Sequence, residues 1–320
     1  MIDLSVIVIS YNTKEFLKKC IDDIQAYSEG ISKEIIVVDN NSQDGSSTMI
    51  KDNFPSVKLI ENKVNYGFAR ANIQGFKIAQ GQKYILLINS DAFVQKTTIP
   101  DTIKFIEEHK EYGILGCRIV NLNGALQPSA RFFPTPWKLF VSNVGLDNKF
   151  PGIKFFKSMD DMRWAHDAVR EADWIPGCYF LIRKTVIDDV GFFDPDYYLY
   201  YEEIDFCLRA KRKGWKVVFY PWAEVLHLGG ESAKTKGRVV LGSNQLEPLR
   251  LESEYLYFRK NLGLIYVVLD FLFILSAHII NIGAKAIIKH KDLDIRNRCR
   301  HIKLALRVLI DTRFGAVPKN

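Results

Sequence analysis

Short apolar runs alternate with amphipathic stretches through the first ninety residues of the chain. The runs at 4–10 and 34–39 are rich in β-branched residues and predict strands of a sheet that is covered on both faces. Between them, residues 13–28 predict a helix with Thr13 at its N-cap. The apolar residues of this helix recur at helical spacing: Phe16, Leu17, Cys20, Ile21 and Ile24.

The alternation continues with a strand at 57–60, a helix from about 68 to 79 and a strand at 83–89. Strands that alternate with helices predict parallel βαβ units, in which ligands bind beyond the carboxyl ends of the strands. Asp39 and Asp91 lie at two of these ends. The pattern therefore predicts an α/β fold with both carboxylates at its binding edge.

The second half of the chain is less regular, and residues 140–170 predict no element. A strand, a helix and a strand are predicted, in that order, within 173–184, 203–213 and 215–220. Three acids crowd the entrance of this helix, and one histidine follows the last strand: Glu202, Glu203, Asp205 and His227. Together with the two strand-end aspartates, they predict a site that handles a metal-bound diphosphate.

Residues 262–284 form the longest apolar run and could cross a bilayer, which takes roughly 20 residues. The polar residues that interrupt it project within an arc of roughly 80° on a helix; they are Asp270, His278, Asn281 and Lys285. Residues 285–320 then carry ten Lys/Arg against three Asp. This pattern favours a helix that lies in the interface of an anionic membrane. A spanning helix and a helix packed on the body of the protein stay open as alternatives.

Composition narrows the class of protein. With 320 residues, of which 48% are hydrophobic, the chain can bury a core in one large domain or two modest ones. Its five cysteines form no CxxC pair, and no secretory signal is evident, so we expect a reducing, cytoplasmic location. Phe314 is the one aromatic in the basic tail, and we therefore expect no nucleic-acid partner.

Seven motifs in order resemble the bacterial family-2 glycosyltransferases, most closely the rhamnosyltransferase-like branch. They are SVIVISYNT (5–13), IIVVDNNSQDGS (35–46), NYGFARANIQG (65–75), LLINSDAFV (86–94), IPGCYFLIRK (175–184), GFFDPDYYLYYEEIDFCLRAKRKGW (191–215) and VLHLGGES (225–232). The resemblance implies a GT-A fold, a Rossmann-like α/β/α sandwich with a mixed sheet. We expect a glycosyltransferase domain at 1–255, with a nucleotide-binding half (1–112) and an acceptor half (113–255), followed by a membrane-associating helical tail (256–320).

The resemblance assigns the donor site to the strand ends. Asp39 would reach the nucleobase, since a carboxylate can accept the imide N–H of uracil or thymine; its alternative role is an Asx turn. Asn89-Ser90-Asp91 occupies the place of the DxD metal motif, with Asp91 as ligand and an uncharged Asn89 in the first position. Further donor contacts are expected from Ser10, Tyr11, Asn12, Arg70 and Asn72, alongside Asn89 and Ser90.

The acid cluster would supply the catalytic base. The family pattern is aromatic-Glu-Asp-x-Asp, and its second acid falls on Glu203, one methylene longer than the usual Asp. Glu202 or Asp205 could be the base instead, and acids in a first helical turn also stabilise the helix dipole by about 0.3–1 kcal/mol each. Buried together, three acids would raise one another's pKa toward that of a useful base.

The resemblance also places His227 at the metal or diphosphate, where the alternative is an ordinary core histidine. Trp174, Pro176 and Gly177 would shape the acceptor and sugar pocket. Arg70 and Asn72 could equally be solvated helix residues.

The expected function is inverting sugar transfer with Mg²⁺ or Mn²⁺, in surface polysaccharide biosynthesis. The resemblance favours dTDP-rhamnose as donor, a UDP-sugar second, and a saccharide or lipid-linked saccharide as acceptor. We expect a protein at the inner face of the cell membrane that binds its anionic surface. The alternatives are a non-catalytic nucleotide-sugar-binding scaffold and a nucleotidyltransferase; the latter is disfavoured because no glycine-rich loop follows the first strand.

Overall fold

The computed structural model describes residues 2–160, 164–229, 246–287 and 293–319. The chain folds as two compact units. Unit 1 draws on Met1–Arg131, Met162–Pro195 and Glu202–Thr235, and unit 2 on Phe132–Asp161, Asp196–Tyr201 and Lys236–Asn320. The predicted boundaries at 112 and 255 divide the chain differently and stay predictions.

Unit 1 contains the strands and six helices of the described residues. Its strands are β1 (Leu4–Ser10), β2 (Lys33–Asp39), β3 (Lys58–Glu61), β4 (Tyr84–Asn89), β5 (Ala92–Val94), β6 (Tyr112–Val120), β7 (Leu126–Gln127), β8 (Arg170–Ala172), β9 (Tyr179–Arg183) and β10 (Lys216–His227). Its helices are α1 (Lys14–Ala26), α2 (Ser46–Asn53), α3 (Gly67–Lys77), α4 (Thr98–Glu108), α7 (Lys184–Val190) and α8 (Glu202–Arg212). Unit 2 contains α5 (Pro136–Val144), α6 (Leu146–Lys149), a 3₁₀ turn (Lys154–Phe156), α9 (Leu246–Asn261), α10 (Leu264–Ile287) and α11 (Leu293–Asp311).

The strands form one mixed sheet in the order β3-β2-β1-β4-β9-β6-β10-β5, with β7 beside β6 and β8 beside β10. The first four run parallel, as the alternation of strands and helices predicts. β9 is antiparallel to β4 and β6, and β5 is antiparallel to β10. A parallel half thus continues into a mixed half, which is the GT-A arrangement that the resemblance implies.

Helices cover both faces of the parallel half, which explains why its strands are apolar throughout. On one face, Leu17 of α1 joins Val6 of β1 in the core. On the other face α3 comes so close that a Cβ on Gly75 would lie 2.7 Å from the Ile7 side chain. Glycine at this position therefore permits the close packing of α3 on the sheet.

Several helices lie where the sequence analysis predicts none. α2 (SSTMIKDN) is short and largely polar. α4 carries Pro100 in its first turn, where proline is tolerated although it resembles a helix break. α5 begins at a proline too, after Thr135, whose hydroxyl accepts the Lys138 N–H at 3.2 Å.

The described polar side chains in the stripe on α10 face other parts of unit 2. Asp270 is 1% exposed, His278 Nε2 lies 2.7 Å from a histidine nitrogen of α11, and Asn281 donates to a backbone carbonyl of α5 at 3.2 Å. The side chain of Lys285 lies outside the described part of the chain. The described polar residues of the stripe therefore contact other parts of unit 2, and exposed apolar residues lie on the opposite side; that the helix lies in a membrane interface stays a prediction.

Candidate active site

The carboxyl ends of β1, β2 and β4 meet at one edge of the sheet in unit 1. Ser10 is the partner of Asp39 across β1 and β2, and Asn89 ends the neighbouring β4. Asp91 follows two residues later. The two aspartates therefore lie at the same edge, as the sequence pattern predicts.

Three buried hydroxyls connect the strand ends at this edge. The Thr13 hydroxyl donates to Ser90 Oγ at 2.8 Å and lies 3.3 Å from Ser10 Oγ. Thr13 is the N-cap residue of α1 as predicted, but its side chain makes no capping bond because its hydroxyl is used between the strand ends. Ser10 and Ser90 are almost fully buried, so their side chains brace the edge, and direct contact with a donor stays a prediction.

Asp39 forms the Asx turn and keeps one oxygen available for the predicted contact with the nucleobase. Its Oδ2 accepts the Ser42 N–H at 3.0 Å, which forms the Asx turn. Its Oδ1 is buried and has no hydrogen-bond partner among the described residues. A buried carboxylate oxygen without a donor is costly, and a ligand N–H would satisfy it.

Asn12 ties the loop after β1 to the loop after β2. Its backbone has φ +54°, in the left-handed region that asparagine tolerates. Its N–H donates to Ser42 Oγ at 2.9 Å, and its Oδ1 accepts the Gln43 N–H at 2.7 Å. The half-buried Tyr11 precedes it. Asn12 therefore shapes the predicted nucleotide edge.

Asn89, Asp91 and His227 form a polar corner beyond β4. The antiparallel pairing of β10 with β5 sets His227 opposite Ala92, and the Leu228 N–H donates to the Asp91 carbonyl at 3.1 Å. His227 Nε2 lies 3.4 Å from Asp91 Oδ1 and 3.3 Å from Asn89 Nδ2. The structure thus brings together the three residues that the resemblance assigns to the diphosphate and metal.

Gln127 of β7 fixes the imidazole of His227. The amide Nε2 of Gln127 donates to the His227 carbonyl at 2.9 Å, so its Oε1 is the atom 2.9 Å from His227 Nδ1. An amide oxygen only accepts, so Nδ1 carries the ring proton. Nε2 therefore faces Asn89 and Asp91.

The polar corner is suited to a divalent cation that is bound jointly by these side chains and by a diphosphate. Asp91 offers an oxygen and His227 a nitrogen, and Asn89 has a carbonyl oxygen. Across residues 2–160, 164–229, 246–287 and 293–319, no cluster of three His, Cys, Asp or Glu side chains is arranged to hold a metal. Mg²⁺ commonly completes its shell with water and substrate phosphates, so two charged or imidazole ligands match a cation that is bound with the nucleotide.

Gln127→Leu is expected to weaken Mn²⁺ binding by about 10–100-fold, the usual effect of removing a residue that orients a metal ligand. The imidazole would lose the bond that selects its tautomer. The measurement is a titration of Mn²⁺, by electron paramagnetic resonance, into the protein with excess nucleoside diphosphate. Gln127→Glu keeps an acceptor for Nδ1 and should retain most of the affinity. Gln82→Leu, on the surface of unit 1, is the matched control, and equal affinities for both leucine variants would contradict the role of Gln127.

Glu203 of α8 has the properties of a general base. Burial raises the pKa of Glu203 above its ordinary value, although hydrogen bonds from Glu202 and the Gly177 N–H and the nearby Arg131 charge oppose the shift. Glu203 Oε2 has no hydrogen-bond partner among the described residues. A carboxylate with a raised pKa and an unused oxygen is suited to accept a proton.

Glu202 lies beside Glu203, and its pKa is raised more strongly. It is 2% exposed, and burial together with the Glu203 charge raises the pKa of Glu202 well above its ordinary value. The sequence predicts that the three neighbouring acids raise one another's pKa. Glu203 does raise the pKa of Glu202, whereas the hydrogen bond with Glu202 lowers the pKa of Glu203. This division leaves Glu203 the more readily ionised of the two. The choice of Glu203 as base stays a prediction that this division supports.

Asp205 anchors α8 instead of facing the pair. Arg209 Nε donates to Asp205 Oδ2 at 2.8 Å, and the same guanidinium donates to the backbone carbonyls of 190–192. Asp205 therefore fits the orienting or structural role.

The chain enters α8 through Tyr200 and Tyr201, whose φ angles are +70° and +69°. Such conformations cost about 1–3 kcal/mol each and are frequent at functional sites.

Cys178 lies near both the acid pair, Glu202 and Glu203, and the polar corner formed by Asn89, Asp91 and His227. Burial raises the pKa of its thiol above the ordinary value, and the charges of Asp91 and Glu203 raise it further. Both carboxylates therefore lie within electrostatic range of one buried side chain. The Asn89 N–H also donates to the Cys178 carbonyl at 3.3 Å, and the Gly177 N–H donates to Glu203, so the base candidate and the metal candidate adjoin the same segment of the chain.

Of the three predicted pocket residues, Gly177 lies beside Glu203. Trp174 is buried, and the Arg131 guanidinium lies 4.6 Å above its ring. A Cβ on Gly177 would lie 3.3 Å from the Phe68 ring, so glycine allows the chain to pass close to α3. Pro176, between them, is half-buried. A direct contact of these residues with an acceptor stays a prediction.

Two of the predicted donor residues bond to backbone carbonyls within unit 1. Arg70 Nε donates to the Pro195 carbonyl at 2.9 Å. Asn72 is fully buried, and its Nδ2 donates to the Phe68 carbonyl at 2.9 Å. Asn72 Oδ1 is buried without a partner among the described residues. These bonds support structural roles, and donor contact by either residue stays a prediction.

Sequence reasoning missed Gln127 and Arg131. The Asn123-Gly124 pair after an apolar run is a hairpin signal, and it would have placed Gln127 on a strand that folds back along β6. Arg131 lies in a proline- and aromatic-rich segment without periodicity, and no local signal in the sequence reveals it.

Comparison with known proteins supports the family and the fold. The sequence profile of glycosyl transferase family 2 matches residues 5–159. A low-salt glycan biosynthesis hexosyltransferase, Agl10 of Haloferax volcanii, is 26% identical over 66% of the chain, which spans 62% of that relative. An N-acetylglucosaminyl-diphospho-decaprenol L-rhamnosyltransferase of Mycobacterium tuberculosis is 25% identical over 70% of the chain and 75% of its own length. The structure of a mannosyltransferase from Pyrobaculum calidifontis, in complex with GDP-Man and Mn²⁺, shares the fold with a TM-score of 0.56 at 14% identity, over 96% of this chain and 87% of its own. The GT-A fold is therefore confirmed.

Proposed function

We propose that this chain, which belongs to glycosyl transferase family 2, transfers a sugar from a nucleoside-diphosphate donor to a hydroxyl of a saccharide acceptor with inversion. The observation that carries the proposal is the position of His227 Nε2, 3.4 Å from Asp91 Oδ1 at the predicted nucleotide edge. These two side chains can hold a divalent cation, which would balance the charge of a diphosphate leaving group. The rhamnosyltransferases among its relatives support a role in glycan building.

Glu203 would act on the acceptor. Its carboxylate removes the proton from the acceptor hydroxyl as the hydroxyl oxygen bonds to the anomeric carbon, and the bond from that carbon to the diphosphate oxygen breaks. Attack opposite the leaving group inverts the anomeric configuration. Glu202 donates a hydrogen bond that orients the Glu203 carboxylate, and Gly177 donates a second.

Asp91 and His227 would hold Mg²⁺ or Mn²⁺ with the diphosphate of the donor. A bound cation supplies Lewis-acid neutralisation of the charge that develops on the leaving diphosphate. Asn89 would complete the corner through its amide. The mannosyltransferase from Pyrobaculum calidifontis, which shares the fold, binds GDP-Man together with Mn²⁺, and this supports a divalent cation here.

The free oxygen of Asp39 favours a donor with an imide N–H, as in uracil and thymine. We propose dTDP-rhamnose as the first candidate, because of the rhamnosyltransferase relatives, and a UDP-sugar as the second. The acceptor would be lipid-linked, at the inner face of the cell membrane, since the mycobacterial relative is named for a decaprenol-linked substrate.

Asp39→Asn is expected to change which base binds. In the variant, the amide oxygen of residue 39 would accept the Ser42 N–H, as Asp39 Oδ2 does in the wild type. The amide NH₂ would then face the nucleobase. Loss of a charged hydrogen bond, about 1.5–3 kcal/mol, should weaken UDP and dTDP binding about 10–100-fold. CDP, which has an acceptor at the same ring position, should gain relative to both.

Isothermal titration of UDP, dTDP and CDP checks this prediction, with Asp22→Asn on the surface of α1 as the matched control. An unchanged order of affinities in Asp39→Asn would show that the base is bound elsewhere.

A further inference from the structure

The outer face of α10 exposes a wide apolar surface. Ile265 is 66% exposed, Leu272 47% and Ile279 59%. Other apolar side chains on this helix are also exposed: Leu264, Tyr266, Val268, Leu269 and Ile280. The stretch Leu264–Gly283 of α10 is long and apolar enough to cross a membrane, and only about a fifth of it is buried. It is therefore not an ordinary core helix.

α11 adds a second apolar stripe with a basic border. Ile295, Cys299, Leu306 and Ile310 recur at helical spacing on its exposed side. Four exposed basic residues lie next to this stripe on the helix surface, also at helical spacing: Arg296, Arg300, Lys303 and Arg307. α10 and α11 are in contact through His278 and His301.

The segment 149–157 of the same unit repeats this chemistry. Its sequence, KFPGIKFFK, alternates exposed lysines with exposed apolar residues; Phe150 is 38% exposed, Ile153 49% and Phe155 64%. Ring contacts of Trp137 connect Phe155, at 4.7 Å, to Phe273 of α10, at 5.8 Å. The segment is therefore continuous with the apolar surface of α10.

We propose that unit 2 docks in the plane of an anionic lipid bilayer through this surface, the docking face, formed by the outer sides of α10 and α11 and by residues 149–157. Apolar side chains would enter the acyl boundary, and the basic border would meet the lipid headgroups. This inference does not rest on the proposed sugar transfer.

The chemistry of the docking face favours lipid over a second copy of the chain. Face-to-face pairing of two copies would bring two sets of Lys/Arg side chains together, whereas an anionic headgroup layer neutralises them. The packing of α10 also favours an in-plane orientation over a spanning one, because Asp270 and His278 fix its opposite side against unit 2.

Co-sedimentation with vesicles tests the proposal. We expect binding to vesicles of phosphatidylcholine with phosphatidylglycerol, and weak binding to phosphatidylcholine alone. The double variant Ile265→Glu, Leu272→Glu should bind more than tenfold more weakly. The matched control is Leu122→Glu with Val64→Glu, which lie in unit 1 and are 73% and 50% exposed; it should bind like the wild type. Thermal unfolding of each variant checks that the fold is kept.

Two further readouts separate the outcomes. Arg300→Ala and Lys303→Ala should each weaken binding about fivefold, the contribution of one basic residue near an anionic surface. Of the five cysteines only Cys299 is exposed, so a polarity-sensitive dye on this native thiol should shift to the blue when anionic vesicles are added.

Undiminished vesicle binding by the Ile265→Glu, Leu272→Glu variant would overturn the proposal. So would a wild-type dimer that binds no vesicles and that the same variant converts to monomers, because the docking face would then bind a second copy. Loss of sugar transfer in an assay without lipid would concern the proposed function alone.

Discussion

Glu203→Gln is expected to lower kcat about 10²–10⁴-fold, the usual contribution of a general base. Glutamine has the same shape but cannot accept the acceptor proton, so donor binding should persist. The measurement compares kcat with the affinity for the donor, each in wild type and variant. Glu202→Gln is the matched control, because its amide can still donate to Glu203, and it should retain most of the activity.

The pH profile provides a second readout of the same residue. Since the base must be ionised and burial raises its pKa, kcat/KM of the wild type should rise with pH through an apparent pKa above that of an ordinary glutamate. This acidic limb should disappear in Glu203→Gln. If Glu202→Gln were the inactive variant and Glu203→Gln the active one, the assignment of the base would be wrong.

Asp91→Asn is expected to lower kcat/KM about 10²–10³-fold, because the neutral amide removes the charge that holds the cation against the diphosphate. Excess Mn²⁺ should restore part of the loss, since the defect lies in metal affinity. Paramagnetic resonance of Mn²⁺ with bound nucleoside diphosphate measures that affinity directly.

Asp23→Asn, on α1, removes an acid from a surface ion pair with Lys19 and is the matched control for Asp91→Asn. Equal Mn²⁺ affinity in the wild type and Asp91→Asn would place the cation elsewhere.

The parallel half of the sheet could be predicted from local pattern alone. Its strands are buried on both faces, so each appears as an uninterrupted apolar run, and the strand ends fall at Asp39 and Asn89. The register of β1 with its neighbours then brings these ends together. Strands that are buried on both faces can be recognised from their apolar sequence, and so this part of the site could be predicted.

The remaining features depend on contacts between distant parts of the chain. The Gln127–His227 bonds join residues 100 positions apart, and only the resemblance placed His227 near Asp91. For α10 the arc of polar residues was visible in the sequence, but its direction was not. Packing of Asp270 into unit 2 determines that direction.

Release of nucleoside diphosphate from a panel of sugar donors tests the central claim most directly. The panel is run with Mn²⁺ or with EDTA, for wild type and Glu203→Gln, and binding of each donor is measured in parallel. We predict that the wild type, with Mn²⁺, releases dTDP or UDP from one donor, and that EDTA or Glu203→Gln stops the release while the variant still binds that donor. A donor that binds the wild type and stays intact, at the level of Glu203→Gln, in the presence of Mn²⁺ and a lipid-linked saccharide acceptor, would contradict the account and favour a nucleotide-sugar-binding scaffold.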